Sequence, residues 1–139
     1  MTFIEFRAGD VERLKTLHTA YKLEIGEDVP SDADFEALAA AIGAGRIRLC
    51  GGEDESMPVG CCSVTTGFST FNYGQSGVFE DFYILPEYRH RGIARGLVAY
   101  AAGQSGVQSL TVGCADCDLE MYKALGFSIR LGNLLAYGF

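Results

Sequence analysis

The stretch from Val78 to Leu97, VFEDFYILPEYRHRGIARGL, constrains the fold of this chain more than any other segment. Val78–Leu85 is an apolar run interrupted by two carboxylates, which predicts a strand. Pro86 ends that strand, and after a short basic loop the apolar residues recur at helical spacing from Ile93 onward. A helix that begins in this way leaves the backbone N–H groups of its first turn without intrahelical acceptors.

The loop before this helix has the features of an anion site. Gly92 and Ala94 are small, so the backbone can approach an anion closely, and Arg89, Arg91 and Arg95 add positive charge. The positive end of the helix dipole acts in the same direction. The loop is not a Walker loop, because no Gly-Lys-Ser/Thr follows, and it does not match the GxGxxG dinucleotide pattern. We therefore expect a phosphate or pyrophosphate to bind here.

The remaining pattern predicts a mixed α/β fold in one domain, residues 1–139. Helices are predicted over 11–22 after Asp10, from Ser31 or Asp32 to Gly43, from Gly92 to Gly103, and from Asp116 or Asp118 to Gly126. Strands are predicted at 46–50, 59–66, 78–85 and 109–112, with connections at 51–58 and 67–77. Residues 127–131 and 134–139 are predicted to pair as a hairpin across Gly132-Asn133. The strand–helix–strand unit favours a mixed sheet with one parallel pair.

Composition limits the function classes. The formal charge of −7 disfavours a nucleic-acid binder, which normally carries a basic face. The N-terminal residues show no secretory pattern, and no apolar run is long enough to span a bilayer. The five cysteines show no disulfide or metal-site spacing apart from one isolated pair, Cys114 and Cys117. We expect a protein of the reducing cytoplasm, with no metal, no nucleic-acid partner and no membrane partner.

Two motifs resemble those of one enzyme family. Arg89-x-x-Gly92-x-Ala94, preceded by the run from Asp81 to Tyr88, is similar to the acyl-CoA-binding motif of the GNAT superfamily of N-acetyltransferases. About thirty residues later, Met121-Tyr122-Lys-Ala-Leu-Gly126-Phe127 resembles that family's second motif, Leu-Tyr-x-x-x-Gly-Phe. The Glu-Asp-Phe-Tyr-Ile run also resembles the diamine (spermidine/spermine) acetyltransferase branch. The resemblance implies a GNAT-type twisted sheet with a splayed parallel pair and about four helices.

The resemblance also implies how acetyl-CoA would bind. The pantetheine arm would pair with the backbone of Phe82, Tyr83 and Ile84, and the thioester would sit in the splay between this strand and 109–112. The loop would hold the pyrophosphate, with Arg89 opening it and the residues His90, Arg91, Gly92, Ile93, Ala94 and Arg95 completing it. Ala115 and Asp118 would lie beside the lower pantetheine, although both positions depart from the usual pattern of the second motif.

Amine attack on a thioester needs a proton acceptor, because an alkylamine with a pKa of about 10.4 is mostly protonated at neutral pH. Glu80 resembles the glutamate proposed as base in the diamine branch, and Tyr122 resembles the tyrosine that protonates the departing thiolate. In a regular strand Glu80 and Asp81 point to opposite faces, so only one would face the amine. Each also has a structural interpretation: Glu80 as an ion-pairing carboxylate and Tyr122 as a core tyrosine.

The acceptor is expected to be a small cationic amine, such as a polyamine, an amino acid or a similar metabolite. Glu24 and Glu27 lie in the loop between the first two helices, which in this family borders the acceptor site. Phe71 and Tyr73 are candidates for lining the same cleft. A lysine side chain or a protein N-terminus is the alternative acceptor. A non-catalytic acyl-CoA-binding module is the alternative of another class. The resemblance further implies a homodimer.

Overall fold

The computed structural model describes residues 1–139 as a mixed α/β fold. Its elements in chain order are β1 (Thr2–Phe6), α1 (Val11–Glu24), α2 (Asp32–Gly43), β2 (Ile47–Asp54), β3 (Met57–Ser69), β4 (Gly74–Ile84), α3 (Ile93–Ser105), β5 (Ser109–Val112) and α4 (Leu119–Ala124). All four predicted helices are present, and Ser31 is the residue that caps α2, since its Oγ accepts the Asp34 N–H at 3.2 Å. None of the helices has both the length and the apolar character that crossing a membrane requires.

The five strands form one sheet in the order β1-β2-β3-β4-β5. The first four strands pair antiparallel, and β5 pairs parallel to β4. Helix α3 is the crossover that a parallel connection requires. The predicted mixed sheet with one parallel pair is confirmed.

Two apolar clusters cover opposite faces of the sheet. Helix α3 packs on one face through residues such as Leu97, and α1 packs on the other through residues such as Leu14. Cys61 and Cys62 belong to different clusters, as consecutive strand residues should. Both are buried and free, as is Cys50.

The N-terminal strand was not predicted, and it explains a second difference. Gly51 and Gly52 were assigned to the turn 51–58, yet both lie inside β2, where Gly51 pairs with Ile4 of β1. A Cβ on Gly51 would overlap the ring of Phe6. Glycine is therefore present because an aromatic ring needs the space, and the turn is confined to Glu55 and Ser56, both with positive φ.

The segment 67–77 was predicted as a loop, but most of it extends the hairpin of β3 and β4. Pairing continues to Ser69 and Gly74, so only residues 70–73 form the connection. Gly77 is again a packing glycine, because a Cβ there would lie 2.9 Å from Val64 Cγ1. The glycines of this segment indicated a loop, but close packing of the chain explains Gly77.

The predicted C-terminal hairpin is wrong. Residues 127–131 and 134–139 form no strand, and the outer edge of β5 has no partner. Six apolar side chains of this segment are at least 75% exposed: Ile129, Leu131, Leu134, Leu135, Tyr137 and Phe139. Alternation and a Gly-Asn turn describe a hairpin locally, but two strands alone are marginal without a third strand or a packed face.

Candidate active site

A gap opens between the two parallel strands. Pairing of β4 with β5 runs from Ser76–Ser109 to Phe79–Val112 and stops there, while β4 continues to Ile84. The β5-facing edge of residues 80–84 therefore has no strand partner, and its backbone groups are free to bond a ligand. This is the splay expected between Val78–Leu85 and Ser109–Val112.

A β-bulge lies at the start of this gap. Cys61 pairs with Tyr83 and Ser63 with Glu80, so two residues of β4, Asp81 and Phe82, stand opposite one residue of β3. Asp81 has φ +51°, a conformation that Asp tolerates better than most residues.

The bulge corrects the expectation that Glu80 and Asp81 point to opposite faces of a regular strand. Phe79 and Phe82 pack on the same cluster although they are three residues apart. Asp81 faces α1, where its Oδ1 accepts a hydrogen bond of 3.1 Å from the hydroxyl of Tyr21. The side chain of Glu80 is exposed and makes no hydrogen bond or ion pair, and its backbone oxygen accepts from Ser63 Oγ.

The loop before α3 presents free donors. The first hydrogen bond of this helix runs from the Gly96 N–H to the Gly92 carbonyl, and no backbone N–H of residues 90–95 donates to a protein acceptor. His90 and Gly92 have φ +61° and +80°, which turns the chain into the helix. Consecutive unpaired N–H groups at a helix N-terminus are an arrangement that suits an anion, and the phosphate or pyrophosphate site stays a prediction.

The arginines of this loop differ in their contacts. Arg89 donates through Nε to the Ile84 carbonyl at 2.8 Å and pairs with Glu24 at 2.7 Å, and its guanidinium lies over the ring of Tyr83. The hydrogen bond to Glu24 raises the pKa of Arg89. The Arg89 side chain is thus occupied by protein contacts.

The two other arginines of the loop are exposed. Arg91 stacks on Tyr88, 5.2 Å from the ring centroid, and Arg95 has no ion pair. Ile93, by contrast, is buried as part of the core face of α3, and Ala94 is half-buried beside it. The free positive charge of the loop therefore comes from Arg91 and Arg95.

Tyr122 lies on the other side of the gap. It projects from α4 and packs against Phe82 and Phe127, with ring centroids 6.4 Å and 5.9 Å away. The residue is half-buried, and its hydroxyl has no protein hydrogen-bond partner. Burial, followed by the charge of Asp118, raises the pKa of Tyr122, so the hydroxyl stays protonated at neutral pH and is able to donate.

The segment between β5 and α4 brings two more predicted residues to this side. Ala115 opens and Asp118 closes a short 3-10 turn, and both are exposed. Cys114 and Cys117 in the same segment are free and exposed.

Three predicted acceptor residues are not brought together with this gap. Phe71 is 97% exposed and Tyr73 77% exposed at the tip of the β3–β4 hairpin. The hairpin tip lies six β4 residues from Glu80, roughly 20 Å along the strand. Glu27 is exposed in the α1–α2 loop without an ion pair, whereas Glu24, which is also exposed, is paired with Arg89.

Sequence reasoning missed Tyr21 and the orientation of Asp81. Tyr21 lies within the predicted helix 11–22, and its ring packs 5.4 Å from that of Tyr83. Alternation of apolar and polar residues along a strand does not indicate where a β-bulge lies. The only available signal was an Asp within an apolar strand, a residue type that accepts a positive φ.

The fold combines an open strand edge beyond a parallel pair with a helix whose first N–H groups are free. The sequence pattern of the family described as Acetyltransferase (GNAT) domain matches residues 46–129. The chain belongs to this family, and it is an acyltransferase. GNAT acetyltransferases use acetyl-CoA as the acyl donor. No curated protein sequence matches the chain significantly.

Solved structures share the fold over nearly the whole chain. An integron cassette protein, HFX_CASS3, from the mobile metagenome of Cole Harbour Salt Marsh is 26% identical, with a TM-score of 0.84 over 98% of this chain and 89% of its own. The aminoglycoside acetyltransferase meta-AAC0020 from an uncultured soil metagenomic sample, in complex with sisomicin, is 12% identical, with a TM-score of 0.82 over 99% and 95%. A predicted acetyltransferase from Clostridium acetobutylicum, with acetyl-CoA, is 15% identical, with a TM-score of 0.76 over 98% and 95%.

Proposed function

We propose that this acyltransferase moves the acetyl group of acetyl-CoA to a primary amine of a small cationic acceptor, by direct attack in a ternary complex. The observation that carries the proposal is the gap beyond Phe79–Val112, which has the free donors of residues 90–95 at one end and Tyr122 at its side. The proposal treats residues 1–139 as one catalytic domain.

The residues around the gap fit the donor. Acetyl-CoA supplies an activated acetyl group as a thioester, at the end of a long arm that carries a pyrophosphate. The N–H groups of His90 to Arg95 would hold the pyrophosphate, and Arg91 and Arg95 would add charge from the loop surface. The unpaired β4 edge at Phe82, Tyr83 and Ile84 would bond the pantetheine amides, with Ala115 and Asp118 opposite.

The proposed base is Glu80. Its carboxylate is exposed at the mouth of the gap and is not engaged by another side chain, so it is free to take the ammonium proton directly or through water. A neutral amine is needed because the protonated form has no lone pair for attack. A backbone N–H of the bulge near Phe82 would donate to the carbonyl oxygen of the acetyl group as negative charge develops there.

The proposed acid is Tyr122. Its hydroxyl has no protein partner, it is raised in pKa by burial, and its ring contacts Phe82 on the gap edge. A thiolate that leaves carries charge at neutral pH until it is protonated, since a thiol has a pKa of about 8.5. A hydroxyl that is still protonated meets that need. The role of Arg89 would be indirect, because its side chain ties the loop to Glu24 and to the Ile84 carbonyl.

The acceptor is proposed to be a polyamine, an amino acid or a related metabolite, in the manner of the diamine acetyltransferase branch. The net charge of −7 and the unpaired carboxylates of Glu80 and Glu27 favour a cation. The neighbour in complex with sisomicin is an aminoglycoside acetyltransferase, which makes polycationic sugars a further group to test.

We also propose a homodimer that acts in the cytoplasm. The outer edge of β5 is open, and six apolar side chains between residues 129 and 139 are exposed beside it. A second copy would cover both features. Three buried free thiols are compatible with a reducing compartment.

The test is release of free thiol from acetyl-CoA across a panel of polyamines, amino acids, aminoglycosides and lysine peptides, with Tyr122→Phe as the control. Turnover with one amine class that falls in the variant supports the proposal and names the acceptor. If no amine is turned over while acetyl-CoA still raises the melting temperature, either the acceptor lies outside the panel or the chain is a non-catalytic acyl-CoA-binding module. If acetyl-CoA produces no such shift, the assignment of the gap is wrong.

A further inference from the structure

Asp81 is a carboxylate without a cation. It forms no ion pair with any Lys, Arg or His of the chain. Its single side-chain hydrogen bond is the one that Oδ1 accepts from Tyr21, so Oδ2 has no partner. The bulge holds Asp81 at φ +51°, a conformation found where the surrounding structure imposes it. An acidic side chain held in this way at the mouth of a ligand gap is positioned for a cationic group.

The groups around Asp81 come from two helices on opposite faces of the sheet. On α1, burial raises the pKa of Tyr21 to about 12, and the charge of Asp81 and the hydrogen bond to it add to the rise. Tyr21 therefore remains a donor and fixes Oδ1. On α4, burial and then the charge of Asp118 raise the pKa of Tyr122, and the charge of Asp81 contributes as well. Asp81 thus lies within electrostatic range of both tyrosines.

Two basic side chains of α1, His18 and Lys22, leave Asp81 uncompensated. Burial lowers the pKa of His18, against the opposing charge of Asp81, so this imidazole is neutral at pH 7. The ammonium of Lys22 lies over the ring of Tyr21, 5.6 Å from its centroid, and forms no ion pair with Asp81. Oδ2 of Asp81 is therefore available to a cation from outside the chain.

We propose that Asp81 binds the ammonium group of the acceptor through Oδ2, and that Tyr21 is the positioning residue that orients its carboxylate. This inference rests on the proposed function and assigns different roles to the two neighbouring carboxylates. Asp81 captures and places the cation, while Glu80, which no protein group holds, takes the proton. An acceptor with two amino groups can use both carboxylates. One nitrogen binds at Asp81, and the other lies at the acetyl group, where Glu80 takes its proton.

Binding is measured by calorimetry on protein saturated with coenzyme A, with 1,4-diaminobutane as probe and 1,4-butanediol as its uncharged analogue. We expect the wild type to bind the diamine and not the diol. Asp81→Asn keeps the shape and a side chain that tolerates positive φ, so the fold should persist. It should weaken diamine binding about tenfold or more, the usual effect of losing a charged hydrogen bond. Glu36→Gln, the same loss of charge on an exposed residue without an ion pair, should have no effect.

Tyr21→Phe gives a second, independent test in which the ring and its packing remain. Where an amine is turned over, we expect the KM for that amine to rise about threefold to fivefold, as expected for a lost hydrogen bond, while kcat and the KM for acetyl-CoA stay within twofold. Glu80→Gln should instead lower kcat. If Tyr21 had only a structural role, Tyr21→Phe would change the KM for the amine, the KM for acetyl-CoA and kcat together.

The outcomes separate this inference from the function on which it rests. Diamine binding that is equal in wild type and Asp81→Asn, or no diamine binding by the wild type at tens of millimolar, overturns the role of Asp81. Diamine binding that Asp81→Asn abolishes, combined with no thiol release from acetyl-CoA with any amine, supports the binding role and overturns the proposed transfer reaction.

Discussion

Two regions carry the two motifs, and they are held in the fold in very different ways. The first-motif region, Gly74–Ser105, includes strand β4, which has a partner on each side, and contributes Phe79, Leu97 and Ala101 to the buried core. The C-terminal region, Gly113–Phe139, has no residue that is fully buried and touches the core through half-buried side chains such as Tyr122 and Phe127. The gap that defines the site lies between a rigid edge and a loosely packed one.

The two halves of the site are therefore held in place in different ways. The anion loop is built into a strand–helix junction whose flanks are fixed by packing, so its backbone donors are already in place. The tyrosine side depends on a short helix of six residues and on aromatic contacts to Phe82 and Phe127. Such a segment belongs to the low-stability part of a protein, where opening for a ligand costs least.

The largest effect is expected from a matched pair of truncations to alanine, one in each region. Phe79→Ala removes a ring that is 1% exposed and should lower the free energy of unfolding by about 3–5 kcal/mol. Leu135→Ala removes an exposed side chain and should change it by less than about 0.5 kcal/mol. Urea unfolding of both variants measures the contrast. Equal losses of unfolding free energy in the two variants would show that the C-terminal segment is packed in solution. The two regions would then not differ in packing.

Tyr122→Phe should lower kcat about 100-fold, equivalent to about 2.7 kcal/mol in the barrier, while stability changes little. The hydroxyl has no protein partner to lose, so only its proton donation is removed. Because the pKa of Tyr122 is raised above its ordinary value, its contribution should persist without decline from pH 7 to pH 9. Rate profiles of wild type and variant over that range test this. An unchanged kcat would make Tyr122 a core tyrosine and leave the C-terminal region without a catalytic role.

Gly92→Ala and Gly103→Ala are the same change at two positions of the first-motif region. Gly92 has φ +80°, so alanine there should cost about 1–2 kcal/mol and raise the KM for acetyl-CoA several-fold by shifting the N–H groups of the loop. Gly103 lies inside α3 with open space around its Cα, so alanine should stabilise the helix by about 0.5–1 kcal/mol. Thermal unfolding and initial rates distinguish them. If both substitutions stabilise, the loop does not require its left-handed residue.

Removal of residues 128–139 should have the smallest effect on the isolated chain, less than about 1 kcal/mol, because the apolar side chains of this segment are already exposed. The same truncation should weaken self-association if these side chains form the proposed dimer contact. Urea unfolding at two protein concentrations, together with sedimentation, separates the two effects. A cost of several kcal/mol that does not depend on concentration would mean that the segment packs on its own chain.

The sequence was most informative where structure is decided locally. The apolar spacing of α1, α2 and α3, the Ser31 cap of α2, the Pro86 turn and the position of the basic loop were predicted, because capping and helical periodicity depend on residues within a few positions. The predicted cap Asp10 instead accepts the Arg7 N–H and makes no side-chain cap bond to α1, and α3 runs to Ser105 instead of Gly103. The mixed sheet with one parallel pair followed from the same local units, since a strand, a helix and a strand in succession leave few other arrangements.

Pairing between distant segments was decided only in the tertiary structure. Gly51 is explained by the ring of Phe6, the bulge at Asp81 by its register with β3, and the contact of Arg89 with Glu24 by the packing of α1 against the end of β4. The C-terminal segment has the alternation of a hairpin but no partner in its own chain. The sequence by itself therefore determined the anion loop, the helices and the class of chemistry. Only the tertiary structure shows that Asp81 faces α1, because a strand's register and its bulges depend on its neighbours rather than on its own residues.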